Sequence, residues 1–438
     1  IKVTGYTDKA ASFSFRALET NPDILFRQDI NAGKTSWNRA LLIDGETVKH
    51  AQNSTNLHLR MLNKDMLFAS KPLQADGTPE NVSPNNVSSY IRNDNNEAWT
   101  ISAYDRTTKT VTFRLGVNMP GYNTEEMAKD GGNRVISNIK LVDTLPEGWE
   151  FVPFSEGKDF ELWKGYSDNG SGAEYGVRND AKTLIEPGTS AHVVSFSHNG
   201  NEGTFTFSKL ESPYVILVKA RPSNAALEKY LEEYTTNGTN KQVLYNKADL
   251  HMTWGGVEKV LTEQRKVIVP IQTLGKSVTK PVPGVLEWTV NYTPPFNMTQ
   301  GVYLQDTLGA GMNLRYEENG KLVLTAPSMA VYPAKLTASG ALEREGAALD
   351  LNDPNGEVQV EAAPGVGGTT VLIFKMKDPN KFYQFVYQTE VDPSKAKAGD
   401  KMGNEVKLMG DDKLKTVSAR SESTLDNSDV AGSSSSNA

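Results

Sequence analysis

Cysteine is absent from the 438 residues. This excludes disulfides, thiolate metal sites and cysteine nucleophiles together. A secreted eukaryotic chain of this size would ordinarily carry disulfides, so the composition fits an exported bacterial protein better. Long apolar runs are also missing. None approaches the ~18 residues needed to span a bilayer, and no secretory leader is recognisable, so a soluble segment without membrane insertion is expected. The start at Ile1 and the serine-rich end over residues 433–438 suggest a piece of a longer chain. Blocks of one charge are lacking too: 46 Lys and Arg stand dispersed among 53 Asp and Glu, for a net charge of −7. Without a basic stripe interleaved with aromatics, nucleic acid is not an expected partner. The five histidines (His50, His58, His192, His198, His251) show no ligand spacing, so no metal site is expected. Nucleophile-elbow, phosphate-loop and dinucleotide fingerprints are absent, and nothing selects a catalytic carboxylate pair. The expectation is a non-enzyme without cofactors.

What the chain does contain is strands. In residues 109–117, Val111, Phe113, Leu115 and Val117 alternate with polar positions, as on a half-buried strand. Similar runs recur between Gly- and Pro-bearing turns, and residues 224–233 are the clearest helical stretch, opened by Asn224 as a suitable N-cap. Residues 11–18 and 56–62 also alternate, and an Asp-Gly turn at 44–45 separates two apolar segments. Polar, proline-bearing stretches at 76–79 and 81–86 read as a linker. Residues 350–357 resemble a calcium loop at a glance, but Pro354 falls on a liganding position, so a polar turn is expected. Asn-x-Ser/Thr sequons, as at Asn53, Asn81 and Asn291, are read as incidental in a chain rich in these residues.

The order of segments repeats. Leu286 to Val290 answers Val111 to Leu115, residues 302–308 answer 140–145, residues 382–389 answer 214–220, and residues 403–408 answer 245–250. Four matches in one order, about 160 to 175 residues apart, indicate duplicated domains. The reading is all-β: a small, mostly β unit over 1–95, a first β-sandwich over 96–265, a second over 266–420, and a polar linker or disordered tail over 421–438.

The second repeat places Lys276 before a Trp-Thr-Val strand, Asp306 within Leu-Gln-Asp-Thr-Leu, and Asn404 on a late strand. In this ordered set the chain resembles Gram-positive cell-wall adhesins of the collagen-binding-adhesin type, whose immunoglobulin-like domains form intramolecular isopeptide bonds. The resemblance implies that Lys276 attacks the side-chain amide of Asn404, with Asp306 assisting. The residue types suit that chemistry. Burial lowers the pKa of a lysine toward its nucleophilic neutral form and raises that of an aspartate toward its proton-donating form. The bland reading is a snorkelling lysine, a turn aspartate and a loop asparagine.

The first repeat has Asp143 and Asn246 at the matching positions, but residues 98–105 hold no lysine where Lys276 would fall, and Lys109 lies too near the strand. No bond is expected there, and Asp143 and Asn246 are read as ordinary turn and strand residues. The resemblance further implies a bacterial surface adhesin region, wall-anchored through a part outside this chain. It would grip, as a monomer, a host extracellular-matrix or plasma protein of the collagen or fibrinogen class. In that family a linker (here 262–272) and a C-terminal latch (here 413–424) help to clamp the ligand. Competing readings are a load-bearing stalk or pilus-like segment, and a carbohydrate-binding module. The residues that would contact a ligand are not legible.

Overall fold

The computed structural model describes residues 34–57, 61–69, 90–91, 94–129, 135–164, 183–294, 298–337, 341–412 and 417–431. The strand reading at 11–18, the linker at 76–86 and the end from 432 onward lie outside them. The first described element is a hairpin of β1 (Lys34–Asp44) and β2 (Thr47–Leu57), which among the described residues pair only with each other. Its turn falls at the expected Asp-Gly step, and Gly45 takes a φ of 57°, the left-handed conformation required at the first position of a two-residue hairpin loop.

Two β-sandwiches follow. The first uses β3 (Leu62–Leu67), β4 (Tyr90–Ile91), β5 (Tyr104–Asp105), β6 (Thr110–Val117), β7 (Ile136–Thr144) and β8 (Trp149–Val152). It continues with β9 (Phe160–Lys164), β10 (Thr183–Ile185), β11 (Val194–Asn199), β12 (Glu202–Phe207), β13 (Tyr214–Pro222), β14 (Lys241–Trp254) and β15 (Val257–Pro270). One sheet runs β10-β9-β13-β6-β3-β4, with β5 on β6 and β8 on β13; the other runs β11-β12-β7-β14-β15. The helices α1 (Glu97–Ile101), α2 (Thr124–Lys129) and α3 (Asn224–Asn237) are connections. α3 begins one residue earlier than the Asn224 cap expected: the side chain of Ser223 accepts from the Ala226 amide, and Gly238 closes the helix at φ 71°.

The second sandwich uses β16 (Leu274–Val282), β17 (Val285–Tyr292), β18 (Tyr303–Leu308), β19 (Met312–Asn313), β20 (Met329–Leu336), β21 (Leu342–Arg344) and β22 (Val358–Pro364). It ends with β23 (Thr370–Met376), β24 (Phe382–Val391), β25 (Lys401–Met409), β26 (Ser418–Thr424) and the short α4 (Asn427–Val430). Its sheets are β16-β17-β24-β20-β21, with β19 on β24, and β22-β23-β18-β25-β26. The tandem all-β architecture expected from the alternating pattern is therefore present. Along β17, Leu286, Trp288, Val290 and Tyr292 face inward, and they meet Leu304, Phe374, Phe385 and Tyr387 in the core. In the first sandwich Val111, Phe113, Leu115, Leu141, Phe205, Ile216, Val218 and Leu250 do the same. Removing such side chains from water drives both cores. Residues 350–357 form successive Asx turns, with Asp350 and Asp353 accepting from the amides of Asn352 and Asn355.

Three expected boundaries are corrected. The division at residue 95 cuts through a sheet, because β3 pairs with β6 and belongs to the first sandwich. The supposed linker 262–272 is mostly β15, paired with β14, so only Ile271–Thr273 joins the sandwiches. The supposed latch and tail are largely structured: β26 completes the second sandwich's own sheet beside β25. α4 then docks through Asp429, which accepts from the Gly284 amide and pairs with Lys280.

Candidate functional site

In β18 and β25 of the second sandwich every other residue faces inward, and that phase carries one polar residue on each strand. Asp306 sits between Leu304 and Leu308, and Asn404 between Met402 and Val406; Asp306 is 0% and Asn404 1% exposed. Antiparallel pairing sets Asp306 opposite Val406, so Asn404 lies two residues along on the same face. The amine comes from the facing sheet, where Lys276 on β16 pairs with Val290 on β17. Its side chain is fully buried and forms an ion pair with Asp306.

Tyr387 on β24 ties these groups together. Its Oη accepts from Lys276 Nζ at 2.8 Å and from Asn404 Nδ2 at 2.7 Å, and donates to Asp306 Oδ2 at 2.5 Å. Lys276 Nζ also lies 5.5 Å from the Trp288 ring centroid and 5.4 Å from that of Tyr387. Burial pushes the lysine pKa down and the aspartate pKa up, although their mutual attraction opposes both shifts. Burial and the adjacent Asp306 raise the Tyr387 phenol well above its usual value. The cluster therefore leans toward neutral amine and neutral carboxyl, because a dry core penalises each separate charge. Asp306 Oδ1 and Asn404 Oδ1 are buried acceptors without a donor. Sequence reading missed Tyr387: the inward phase of β24 also carries the hydroxyls of Tyr383 and Thr389, so nothing local singled it out.

The first sandwich holds the same arrangement, and the expectation that it lacks a lysine is corrected. Lys64 on β3 donates to Asp143 Oδ1 at 2.8 Å, with both side chains 0% exposed. Asp143 pairs with Ala248, so Asn246 again lies two residues along on one face. Lys64 pairs with Leu115, the residue matched to Val290, and stands 4.7 Å from the Phe113 ring, which matches Trp288. Burial lowers the Lys64 pKa, and Arg265 adds to the effect, against the opposing pull of Asp143. Asn246 is fully buried and neither of its side-chain polar atoms has a partner. Asp143 and Asn246 lie in strands, as read, but as buried core residues, and Asp143 is not a turn residue. By register the counterpart of Tyr387 is Val218, which has no hydroxyl. The lysine was missed because it stands 79 residues before its aspartate, against 30 in the second sandwich.

A site of this kind defines a class: a tandem β-sandwich protein with an amine, a carboxyl and a carboxamide confined in each core. No family model matches the chain, and no curated protein is significantly similar to it. Among solved structures it aligns with the collagen adhesin CNA of S. aureus at 12% identity, covering 72% of this chain and 87% of that one, with a TM-score of 0.24. The collagen binding subdomain of the Enterococcus faecalis surface protein ACE aligns at 10% identity, over 36% and 87% of the two chains, with a TM-score of 0.23. Domains D2 and D3 of the major pilin SpaD from Corynebacterium diphtheriae align at 10% identity, over 80% and 83%, with a TM-score of 0.24. Likeness at this level fixes neither ligand nor chemistry.

Proposed function

We propose that this chain is a load-bearing region of a Gram-positive surface adhesin, whose second sandwich locks itself with an isopeptide bond between Lys276 and Asn404. The observation that carries this reading is the buried cluster of Lys276, Asp306, Tyr387 and Asn404. Neutral Lys276 Nζ attacks Asn404 Cγ, the Nζ–Cγ bond forms, the Cγ–Nδ2 bond breaks, and ammonia leaves. Protonated Asp306 supplies a hydrogen bond to the amide oxygen and passes protons from the attacking amine to the departing one. Confinement in the core replaces the encounter step. The reaction runs once per molecule, so the protein is its own product rather than an enzyme with turnover.

Peptide mapping tests the bond. Peptides containing Lys276 and Asn404 should be joined with the loss of one ammonia, about 17 Da, as the amide chemistry requires; recovery of separate, unmodified peptides overturns it. For the adhesive half of the reading, the supporting feature is the β1–β2 hairpin, which exposes Trp37, Leu41, Leu42, Ile43 and Val48 as an apolar surface suited to a host matrix or plasma protein. A stalk reading is favoured by the tight junction between the sandwiches. There Arg106 Nη2 donates to the Gln272 carbonyl at 2.9 Å and Lys109 Nζ to the Pro294 carbonyl at 2.7 Å. Surface plasmon resonance on immobilised collagen and fibrinogen separates the two: saturable binding supports the adhesin, and none on either supports the stalk.

A further inference from the structure

We propose that the Asn199–Gly200 step is a self-modifying site, where the Gly200 amide nitrogen closes on the Asn199 carboxamide and the ring product opens to aspartate or isoaspartate. The inference goes beyond the function proposed above and does not depend on the cross-link in the second sandwich. Five asparagines in the chain are followed by glycine, which has no side chain to screen its backbone nitrogen. Four of these steps lie in described residues, at Asn199, Asn237, Asn319 and Asn355. At three of them the glycine nitrogen is engaged. Gly238 donates to the Tyr234 carbonyl at 2.8 Å, Gly320 to that of Glu317 at 2.9 Å, and Gly356 to that of Asp353 at 2.9 Å. Attack through such a nitrogen must first break a hydrogen bond and leave a carbonyl unpaired. The Asn319 carboxamide is held as well, donating to Glu317 Oε2 at 2.9 Å and accepting from the Lys321 amide at 2.8 Å. At Asn199 neither restraint applies: among the described residues, the Gly200 amide has no acceptor and the Asn199 side chain no partner.

The hairpin fixes this arrangement. Asn199 ends β11 opposite Glu202 on β12, so Gly200 and Asn201 form a two-residue loop in which Gly200 takes a φ of 59°. Asn201 is anchored twice to Leu145, its Nδ2 donating to the Leu145 carbonyl and its own carbonyl accepting from the Leu145 amide, both at 2.8 Å. The loop is thus held at its second residue, and its exposed first residue keeps a free nitrogen beside an exposed carboxamide. The reacting atoms sit on adjacent residues, so no encounter step is needed. The Gly200 N–Asn199 Cγ bond forms, the Cγ–Nδ2 bond breaks, and the amide proton leaves with ammonia, giving a succinimide lighter by about 17 Da. Water then adds to either ring carbonyl, and the resulting aspartate or isoaspartate is about 1 Da heavier than the parent residue. Both products set a carboxylate across from Glu202, and isoaspartate also adds one carbon to the backbone at the end of the ladder. The β11–β12 pairing, which carries Phe196 stacked on Phe205 at 4.5 Å, is the part of the fold that this change loosens.

Peptide mapping of the whole chain, aged in mildly alkaline buffer, tests the site, with electron-transfer fragmentation to distinguish the two isomers. The Asn199 peptide should gain about 1 Da at least ~10-fold faster than those holding Asn237, Asn319 and Asn355, with isoaspartate among the products. In strong urea, where the three protecting hydrogen bonds are gone, the four rates should converge. Equal rates in the folded chain overturn the inference. So does an Asn199 lead that persists undiminished in urea, because the fold would then not be its cause. Asn199→Gln, which cannot close the five-membered ring, should abolish the gain in that peptide; an unchanged gain overturns the assignment to Asn199. The peptide read here holds neither Lys276 nor Asn404, so failure of the cross-link leaves this result untouched.

Discussion

The two sandwiches solve one problem with different parts. Each sets a lysine over an aromatic ring, Trp288 in one and Phe113 in the other, and aims it at an aspartate on the opposite sheet. Each places an asparagine two residues from that aspartate's cross-strand partner. They differ in what surrounds the carboxamide. In the second, Tyr387 bridges amine, carboxyl and amide through one hydroxyl; in the first, Val218 fills that position and Asn246 is left without a partner. The difference shows that a buried lysine–aspartate contact forms both with and without a bridging hydroxyl beside the carboxamide. A second contrast concerns chain order. The lysine strand can lie immediately before its neighbour, as β16 before β17, or be separated from it by a long insertion, as β3 from β6.

The largest expected effect comes from removing one lock. Under the proposed Lys276–Asn404 cross-link, Lys276→Ala leaves open a loop of over ~100 residues, which should lower stability by about 5 kcal/mol in the chain-entropy model used for disulfides. Calorimetry should show the second sandwich melting first and the first unchanged; coincident, unshifted transitions would remove the contrast. Next in size is Tyr387→Phe. Losing an orienting hydrogen bond of roughly 1.4–2.7 kcal/mol should slow bond formation ~10- to 100-fold without preventing it. A time course of mass loss after refolding measures this. Equal rates for Tyr387→Phe and the parent would make Tyr387 a packing residue only.

A pH-dependent effect lies at the junction, where burial and Arg106 push the Lys109 pKa down to about 7. Between about pH 7 and 10.5 the unfolded chain carries a proton there that the folded chain has released, so stability should rise with pH across that window. Lys109→Met should flatten the rise in thermal unfolding measured from pH 7 to 10. A slope unaltered by the substitution would show that the junction does not sense this proton.

Much of the second site was legible because its strands are half-buried and alternate cleanly. A polar residue in the apolar phase of β18 or β25 stands out, and the short β16–β17 hairpin keeps Lys276 near its strand. The first site hid its lysine for two physical reasons. β3 is buried on both faces, so its sequence has no inside-outside alternation to mark Lys64 as inward. The intervening chain also carried it far from β6, and strand pairing across such a distance is set by packing rather than by local pattern. The terminal segment 418–430 misled for a related reason: its polarity suits an edge strand with one solvated face as well as it suits a tail.

By itself the sequence determined the all-β class, the duplicated order of strands, and the alternation that marks Asp306 and Asn404 within apolar strands. All of these follow from a period of two along each strand. Only the tertiary structure decided which lysine meets which aspartate, that Tyr387 joins one cluster and Val218 lines the other, and that β26 closes the second sandwich. Those choices depend on how sheets face each other across a core, where residues distant in the chain become neighbours because apolar surface must leave water.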